Sequence, residues 1–191
     1  MQSTSSMPQV QERLINVDEY YKMAEHGIIK HDEKVELIYG KIIKMSPSTS
    51  RHAACIDRIV KLFYRNEIDN SYSIRSQSPI RLNDLSEPEP DVSVLKFEES
   101  SYDDRHPAPG EIFVLIEVAL SSLYVDRVIK ASLYAEANIP EYWVINLNKN
   151  EIEVYTKPYE AIYQKCTIFK KGEVLTSSFL DLAFNTDKIL I

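Results

Sequence analysis

The sequence predicts an α/β (α+β) fold in which a mixed β-sheet lies between helices, preceded by an N-terminal helix and a β-hairpin. Three observations carry this expectation. The elements read in the order helix, hairpin, helix, strands, helix, strands, which layers a sheet between helices. Ile112-Phe113-Val114-Leu115-Ile116 is continuously apolar, as in a central strand covered on both faces. The segment from His52 to Glu67 follows the helical period, with Ile56, Ile59, Val60 and Phe63 on one face and Arg58, Lys61 and Arg65 on the other.

The first helix is expected from Asn16 or Asp18, either of which can cap it, to His26-Gly27, where glycine supplies a positive φ. Lys34–Ile38 and Lys41–Met45 flank Tyr39-Gly40 and read as a hairpin with a tight turn. Ser46 to Ser50 offers a loop and a cap for the second helix. Strands are expected over 72–82, 91–95, 112–118, 141–147, 151–156 and 163–169. A third helix runs from Asp126 to Asn138 and is stopped by Pro140. Lys96 to Gly110 is an acidic, proline-bearing loop, read either as an active-site flap or as a disordered excursion. A short helix is expected around Phe179–Phe184.

The 191 residues make one domain, expected over 13–191, with a polar, Ser-rich and poorly ordered tail over 1–12. Lys and Arg number 22 and Asp and Glu 29, a net charge of −7. Coating nucleic acid without specificity needs the opposite balance, so that class is excluded. A nuclease is not excluded, because metal-binding carboxylates belong next to its scissile phosphate. Cys55 and Cys166 match no zinc spacing and are expected as free, buried thiols in a reducing cytosol. The start lacks a basic and an apolar signal region, and no apolar run is long enough to cross a membrane, so a cytoplasmic location is expected.

Several residues carry candidate chemistry. Pro88 and Pro90 enforce an extended chain, so Asp91 opens a strand. Glu117 ends the most apolar strand, where an unpaired carboxylate costs several kcal/mol or shifts its pKa. Two acids at neighbouring strand ends form a hard oxygen site suited to Mg²⁺ or Mn²⁺, although each alone reads more readily as a strand-end acid facing water. Projected at ~100° per residue, Lys130 falls among Leu133, Tyr134 and Ala137. It either snorkels to solvent or reaches inward to Glu117. Glu36 lies on the Ile38 side of its strand, as a sheet-edge guard or as a further acid of the site. His52 faces the Ile56 and Ile59 side of its helix. It is either a core histidine satisfied by a carbonyl or a phosphate-facing group in a helix's first turn. The Arg58, Lys61 and Arg65 face reads as solvated surface rather than a DNA contact.

Taken together, these segments resemble a known family. Val35-Glu36-Leu37-Ile38-Tyr39-Gly40-Lys41-Ile42, Met45-Ser46-Pro47 with His52, Glu89-Pro90-Asp91-Val92, Ile116-Glu117-Val118, Asp126-Arg127 with Lys130 and Tyr134-Ala135, and Ile139-Pro140-Glu141-Tyr142-Trp143-Val144-Ile145 occur in one order. The sequence resembles the Uma2-type restriction endonuclease family, within the PD-(D/E)xK nuclease superfamily. The resemblance implies a restriction-endonuclease-like sheet flanked by helices, with a metal-dependent phosphodiesterase site acting on DNA. It implies Asp91, Glu117 and the Val118 carbonyl as ligands of Mg²⁺ (or Mn²⁺), Glu36, Asp91, Glu117 and Lys130 as catalytic residues, and His52 as a substrate contact. The superfamily places a lysine two residues after the second acid, where this chain has Ala119; its immediate family moves the lysine to the following helix, here Lys130.

The competing reading is a catalytically silent nuclease fold used for nucleic-acid binding or protein association. A carboxylate–metal small-molecule hydrolase ranks last. A symmetric homodimer is a further expectation, since cutting both strands suits a two-fold assembly.

Overall fold

The computed structural model describes residues 11–177, 179–180 and 182–191. The expected disordered tail lies outside the described residues for 1–10; Gln11 and Glu12 are exposed, and Glu12 pairs with Lys41 at 2.6 Å.

Helix α1 (Val17–Glu25) starts at Asn16, whose side chain accepts from the Glu19 N–H while Glu19 reaches back to the Asn16 N–H. This reciprocal pair satisfies two otherwise orphaned donors. Strands β1 (Val35–Ile38) and β2 (Lys41–Lys44) form the expected hairpin, with Tyr39 and Gly40 both at positive φ. Gly40 is obligatory for a second reason: a Cβ there would stand 2.6 Å from Leu14 Cβ. The hairpin forms its own two-stranded sheet.

Helix α2 (Ser50–Asn66) is capped by Thr49. The main sheet has the order β3-β4-β5-β6-β7-β8, comprising β3 (Ser73–Ser76), β4 (Val92–Leu95), β5 (Ile112–Ala119), β6 (Glu141–Asn146), β7 (Glu151–Tyr159) and β8 (Ile162–Lys170). Only β5 and β6 pair in parallel, so the sheet is mixed. The connection between them carries a π-helical stretch, Val125–Lys130, continuous with α3 (Ala131–Glu136). One sheet face packs Val92, Val94, Ile116 and Trp143 against Ile56, Ile59 and Phe63 of α2. The other packs Leu115, Ala119, Tyr142 and Val144 against Leu133 and Tyr134 of α3. The expected layering is therefore present.

Four expectations change. The strand expected over 72–82 is paired only over Ser73–Ser76; Gln77 takes a positive φ and Pro79 offers no N–H to a ladder. The expected helix around Phe179–Phe184, part of which lies outside the described residues, gives way to β10 (Leu182–Asn185), paired with β9 (Val174–Ser177). There the burial alternates: Leu175 and Ser177 in β9 and Phe184 in β10 point inward, and Phe184 packs on Phe63 and Trp143. The loop over 96–110 is neither flap nor excursion. Tyr102 is buried with Leu95 and Ile112, Arg105 ties the loop to Glu98 and Glu111, and none of it lines the acidic cavity described below. Both cysteines are free, and Cys55 is buried as expected; Cys166 is exposed, because β8 is the edge strand.

Candidate active site

The acidic residues converge where β4 begins and β5 ends. Asp91 stands immediately before β4, and Val92 pairs with Ile116, so antiparallel register brings Asp91 beside Glu117 and Val118. The Val118 N–H donates to Asp91 Oδ2 at 2.8 Å, and the Asp91 N–H approaches Glu117 Oε2 at 3.4 Å. Backbone N–H groups thus fix both acids, that of Val118 holding Asp91 and that of Asp91 facing Glu117.

Lys130 reaches inward. Its Nζ lies 2.9 Å from Glu117 Oε1 and 3.0 Å from Glu36 Oε2, and all three residues are 4 % exposed. The Tyr134 hydroxyl, one helical turn on, donates to the same Glu117 oxygen at 2.9 Å. Glu36 is therefore part of the cluster and not an edge guard; its other tie is the Glu89 N–H at 3.1 Å. His52 is held chiefly by a carboxylate rather than by a carbonyl: Nε2 lies 3.0 Å from Asp91 Oδ2, and Nδ1 lies 3.1 Å from Ser48 Oγ.

The electrostatics follow from burial and an excess of acids. Burial pushes the Glu117 carboxyl well above its ordinary range, opposed by Lys130 and reinforced by Asp91, Asp126 and Glu36. Burial alone would push Lys130 down, but Glu117, Glu36 and Asp126 outweigh it and hold the ammonium protonated. The hydrogen bond to Asp91 raises His52 against the opposing effect of burial, with a smaller contribution from the Val118 carbonyl. Burial raises the Asp126 carboxyl to about 6, against the pull of Lys130 and the Ser122 hydroxyl, which donates to it at 2.6 Å.

The structure thus brings Glu36, His52, Asp91, Glu117, Val118 and Lys130 to one cavity. Sequence reasoning assigned no role to Asp126, Glu89 or Tyr134. Asp126, Lys130 and Tyr134 recur at every fourth position, a spacing that could have flagged them as one helix face. Glu89 carried no such signal. Arg58, Lys61 and Arg65 are not brought to the site: none lines the cavity, and Arg58 Nε donates to the Ile189 carbonyl at 3.0 Å.

A family model described as "Uma2: Putative restriction endonuclease" matches residues 17–187. No curated protein matches the chain. Among solved structures, the crystal structure of "a putative nuclease belonging to DUF820" from Anabaena variabilis ATCC 29413 superposes with a TM-score of 0.68 at 15% sequence identity. The match covers 92% of this chain and 97% of that one. At that identity the likeness concerns the fold.

Proposed function

The chain belongs to the Uma2 family, and from that premise we propose that it is a metal-dependent endonuclease hydrolysing phosphodiester bonds of DNA. The observation that carries this reading is the charge imbalance of the cavity. Five carboxylates, those of Glu36, Glu89, Asp91, Glu117 and Asp126, line the cavity, and of its four basic side chains Lys34 and Lys44 are exposed at the rim, which leaves Lys130 and His52 among the acids. Buried like charges are relieved by neutralisation or by a cation, and hard oxygens favour Mg²⁺ or Mn²⁺.

The donor set fits such an ion. Asp91 Oδ2 is committed to His52 and the Val118 N–H, which leaves Oδ1 without a hydrogen-bond partner among the described residues. Glu117 Oε1 is committed to Lys130 and Tyr134, and Oε2 holds only the long contact to the Asp91 N–H. Among the described residues no three His, Cys, Asp or Glu side chains group tightly enough to hold a metal alone. Asp91, Glu117 and the Val118 carbonyl would hold it with water and substrate oxygens completing the shell, as Mg²⁺ sites commonly do. When bound, the ion polarises the phosphate and lowers the pKa of an attacking water. Lys130, fixed between Glu36 and Glu117, orients that water and offsets charge developing on the phosphate. Glu36 keeps the ammonium in place and charged. His52, in the first turn of α2, keeps Nε2 on Asp91 and exchanges the exposed Ser48 hydroxyl at Nδ1 for the substrate phosphate, where the helix N-terminus favours an anion. A lysine on the helix thereby occupies the role left open by Ala119. The reading extends to a homodimer that cuts both strands, and to a cytoplasmic location; among the described residues no helix is long and apolar enough to cross a membrane.

The test is nicking of supercoiled plasmid with and without Mg²⁺, comparing the natural chain with Asp91→Ala. Magnesium-dependent nicking lost in the variant supports the reading. A purified, folded protein that nicks nothing with Mg²⁺ or Mn²⁺ refutes it and favours the silent fold.

A further inference from the structure

We infer that Lys34 and Lys44, at the open end of the β1–β2 hairpin, form a phosphate-binding rim that holds the nucleic-acid backbone beside the scissile phosphate; this rests on the nuclease reading above. The helix face of Arg58, Lys61 and Arg65 is turned away from the cavity, so the contact that aligns a polyanion must come from elsewhere. Among the described residues the cavity's lining contains four cationic side chains: His52, Lys130, Lys34 and Lys44. The first two are committed to Asp91 and to Glu36 with Glu117. Lys34 and Lys44 have no carboxylate within 4.0 Å among the described residues, and both are exposed.

Register brings the two lysines to one end of the hairpin, Lys34 on the Glu36 side of the ladder and Lys44, opposite Val35, on the other. Val35 pairs with Lys44, and the Met45 N–H donates to the Lys34 carbonyl at 3.0 Å, so the two lysines flank the same end of the ladder. Lys34 is two residues before Glu36, and alternation gives both residues one side of the chain. The geometry that lays Glu36 on Lys130 therefore lays Lys34 at the mouth above it, within electrostatic reach of Glu89. Beyond the mouth, the cavity continues into a groove that shares Lys34, Lys44, Met45 and Pro47 with it and adds Lys30, opposed there by Asp32 and Glu33. A backbone leaving the acidic cavity toward the hairpin meets cations first. In a chain of net charge −7, that local reversal of sign marks a path for a polyanion.

Each phosphate contact contributes a slope of about −0.9 to log K against log salt for duplex DNA and about −0.7 for single strands. Losing one contact at 0.1 M salt therefore costs about five- to eightfold in affinity. The experiment measures salt-dependent DNA affinity in an Asp91→Asn background, which prevents cleavage, and plasmid nicking in the natural background. Lys34→Gln and Lys44→Gln are each expected to flatten the slope by about one unit and to lower kcat/KM through KM. Lys34→Arg, which keeps the charge, is expected to restore the slope. Lys61→Gln, on the exposed face of α2, serves as the control for net charge and is expected to leave the slope unchanged. Nicking by the natural protein with slopes and KM unaltered by Lys34→Gln and Lys44→Gln overturns the rim and leaves the nuclease reading standing. Equal flattening by Lys61→Gln also overturns it, since the effect is then one of net charge. Absence of both DNA binding and nicking in the natural protein overturns the two together.

Discussion

Replacing Lys130 with Met tests the centre of the site, because the ammonium holds two buried carboxylates at once. Its contacts at 2.9 Å to Glu117 and 3.0 Å to Glu36 would each be worth ~5 kcal/mol gross at an effective dielectric of about 20. Desolvation of three buried charges offsets most of this. The cost of removing one partner from a buried pair is about 3–5 kcal/mol, because uncompensated charge stays behind. Met fills the volume of the lysine stem, so lost packing adds little. Against a total stability of about 5–15 kcal/mol, Lys130→Met should remain folded in dilute buffer. It should melt about 6–20 °C lower, at about 2–4 °C per kcal/mol for a chain of this size. Adding Glu117→Gln removes one of the stranded charges, so the double variant should recover about half of the loss. Nicking should be absent from both variants, which separates the structural part of the lysine's role from the chemical one. Thermal melting and urea titration, in chelator and at neutral pH, measure the stability arm. Melting of Lys130→Met within 2 °C of the natural protein (under about 1 kcal/mol), or a double variant as unstable as the sum of the singles, would refute the buried coupling.

Asp91→Asn should lose divalent-cation binding and nicking while keeping its fold; unchanged Mn²⁺ affinity by titration calorimetry contradicts the ligand assignment. Glu36→Gln should reduce nicking less than Asp91→Asn, because Glu36 steadies Lys130 rather than contributing to the proposed ligand set; equal losses at saturating Mg²⁺ contradict that order. Asp126 carries a carboxyl raised to about 6 by burial, so the folded state binds its proton more tightly than the unfolded chain does. Its contribution is present below about pH 4 and lost as the pH rises through about 6, so Asp126→Asn should stabilise the metal-free protein by about 2–3 kcal/mol near pH 8 and negligibly at pH 4. Denaturant midpoints that fail to diverge between those two pH values contradict the assignment. Arg127, on the same helix but outside the cavity lining, donates from Nε to Glu153 Oε2 at 2.8 Å. Arg127→Met should strand a carboxylate that is 3 % exposed, costing about 3–5 kcal/mol, with kcat for nicking retained; loss of nicking in folded protein would place Arg127 in the site.

How much of this was legible in the sequence depends on whether local pattern or tertiary register decides the outcome. The hairpin, α2 and the central strand were legible because Tyr39-Gly40, the Ile56–Phe63 stripe and the run over 112–116 are local signals of turn, period and burial. The end of the chain was not, because β10 is four residues long and is a strand only through its pairing with β9. Asp91 and Glu117 were legible singly as strand-end acids, but their adjacency depends on β4–β5 register, which no local pattern specifies. Glu36 was ambiguous because its neighbour, Lys130, comes ninety-four residues later. Asp126 was not legible as a site residue because an acid in a helix's first turn has an ordinary explanation in the helix dipole.

The π-helical stretch unites these points. Asp126 and Lys130 both fall within Val125–Lys130, where the hydrogen bonds span one residue more per turn than in an α-helix. Such a turn costs hydrogen-bond quality and persists where the surrounding contacts determine it, and it recurs at functional sites. Here those contacts are identifiable. The Tyr142 hydroxyl donates to the Asp126 carbonyl at 3.1 Å, Ser122 holds the Asp126 carboxyl, and Glu117 with Glu36 holds Lys130. The sheet supplies Tyr142 and Glu117, and the hairpin supplies Glu36. The widened turn is therefore held from several sides, and a hairpin that looks peripheral in sequence supplies one of the contacts that keep the lysine facing the acids. The same hairpin then presents Lys34 and Lys44 at the mouth, which couples alignment of a polyanionic backbone to the integrity of the centre beneath it.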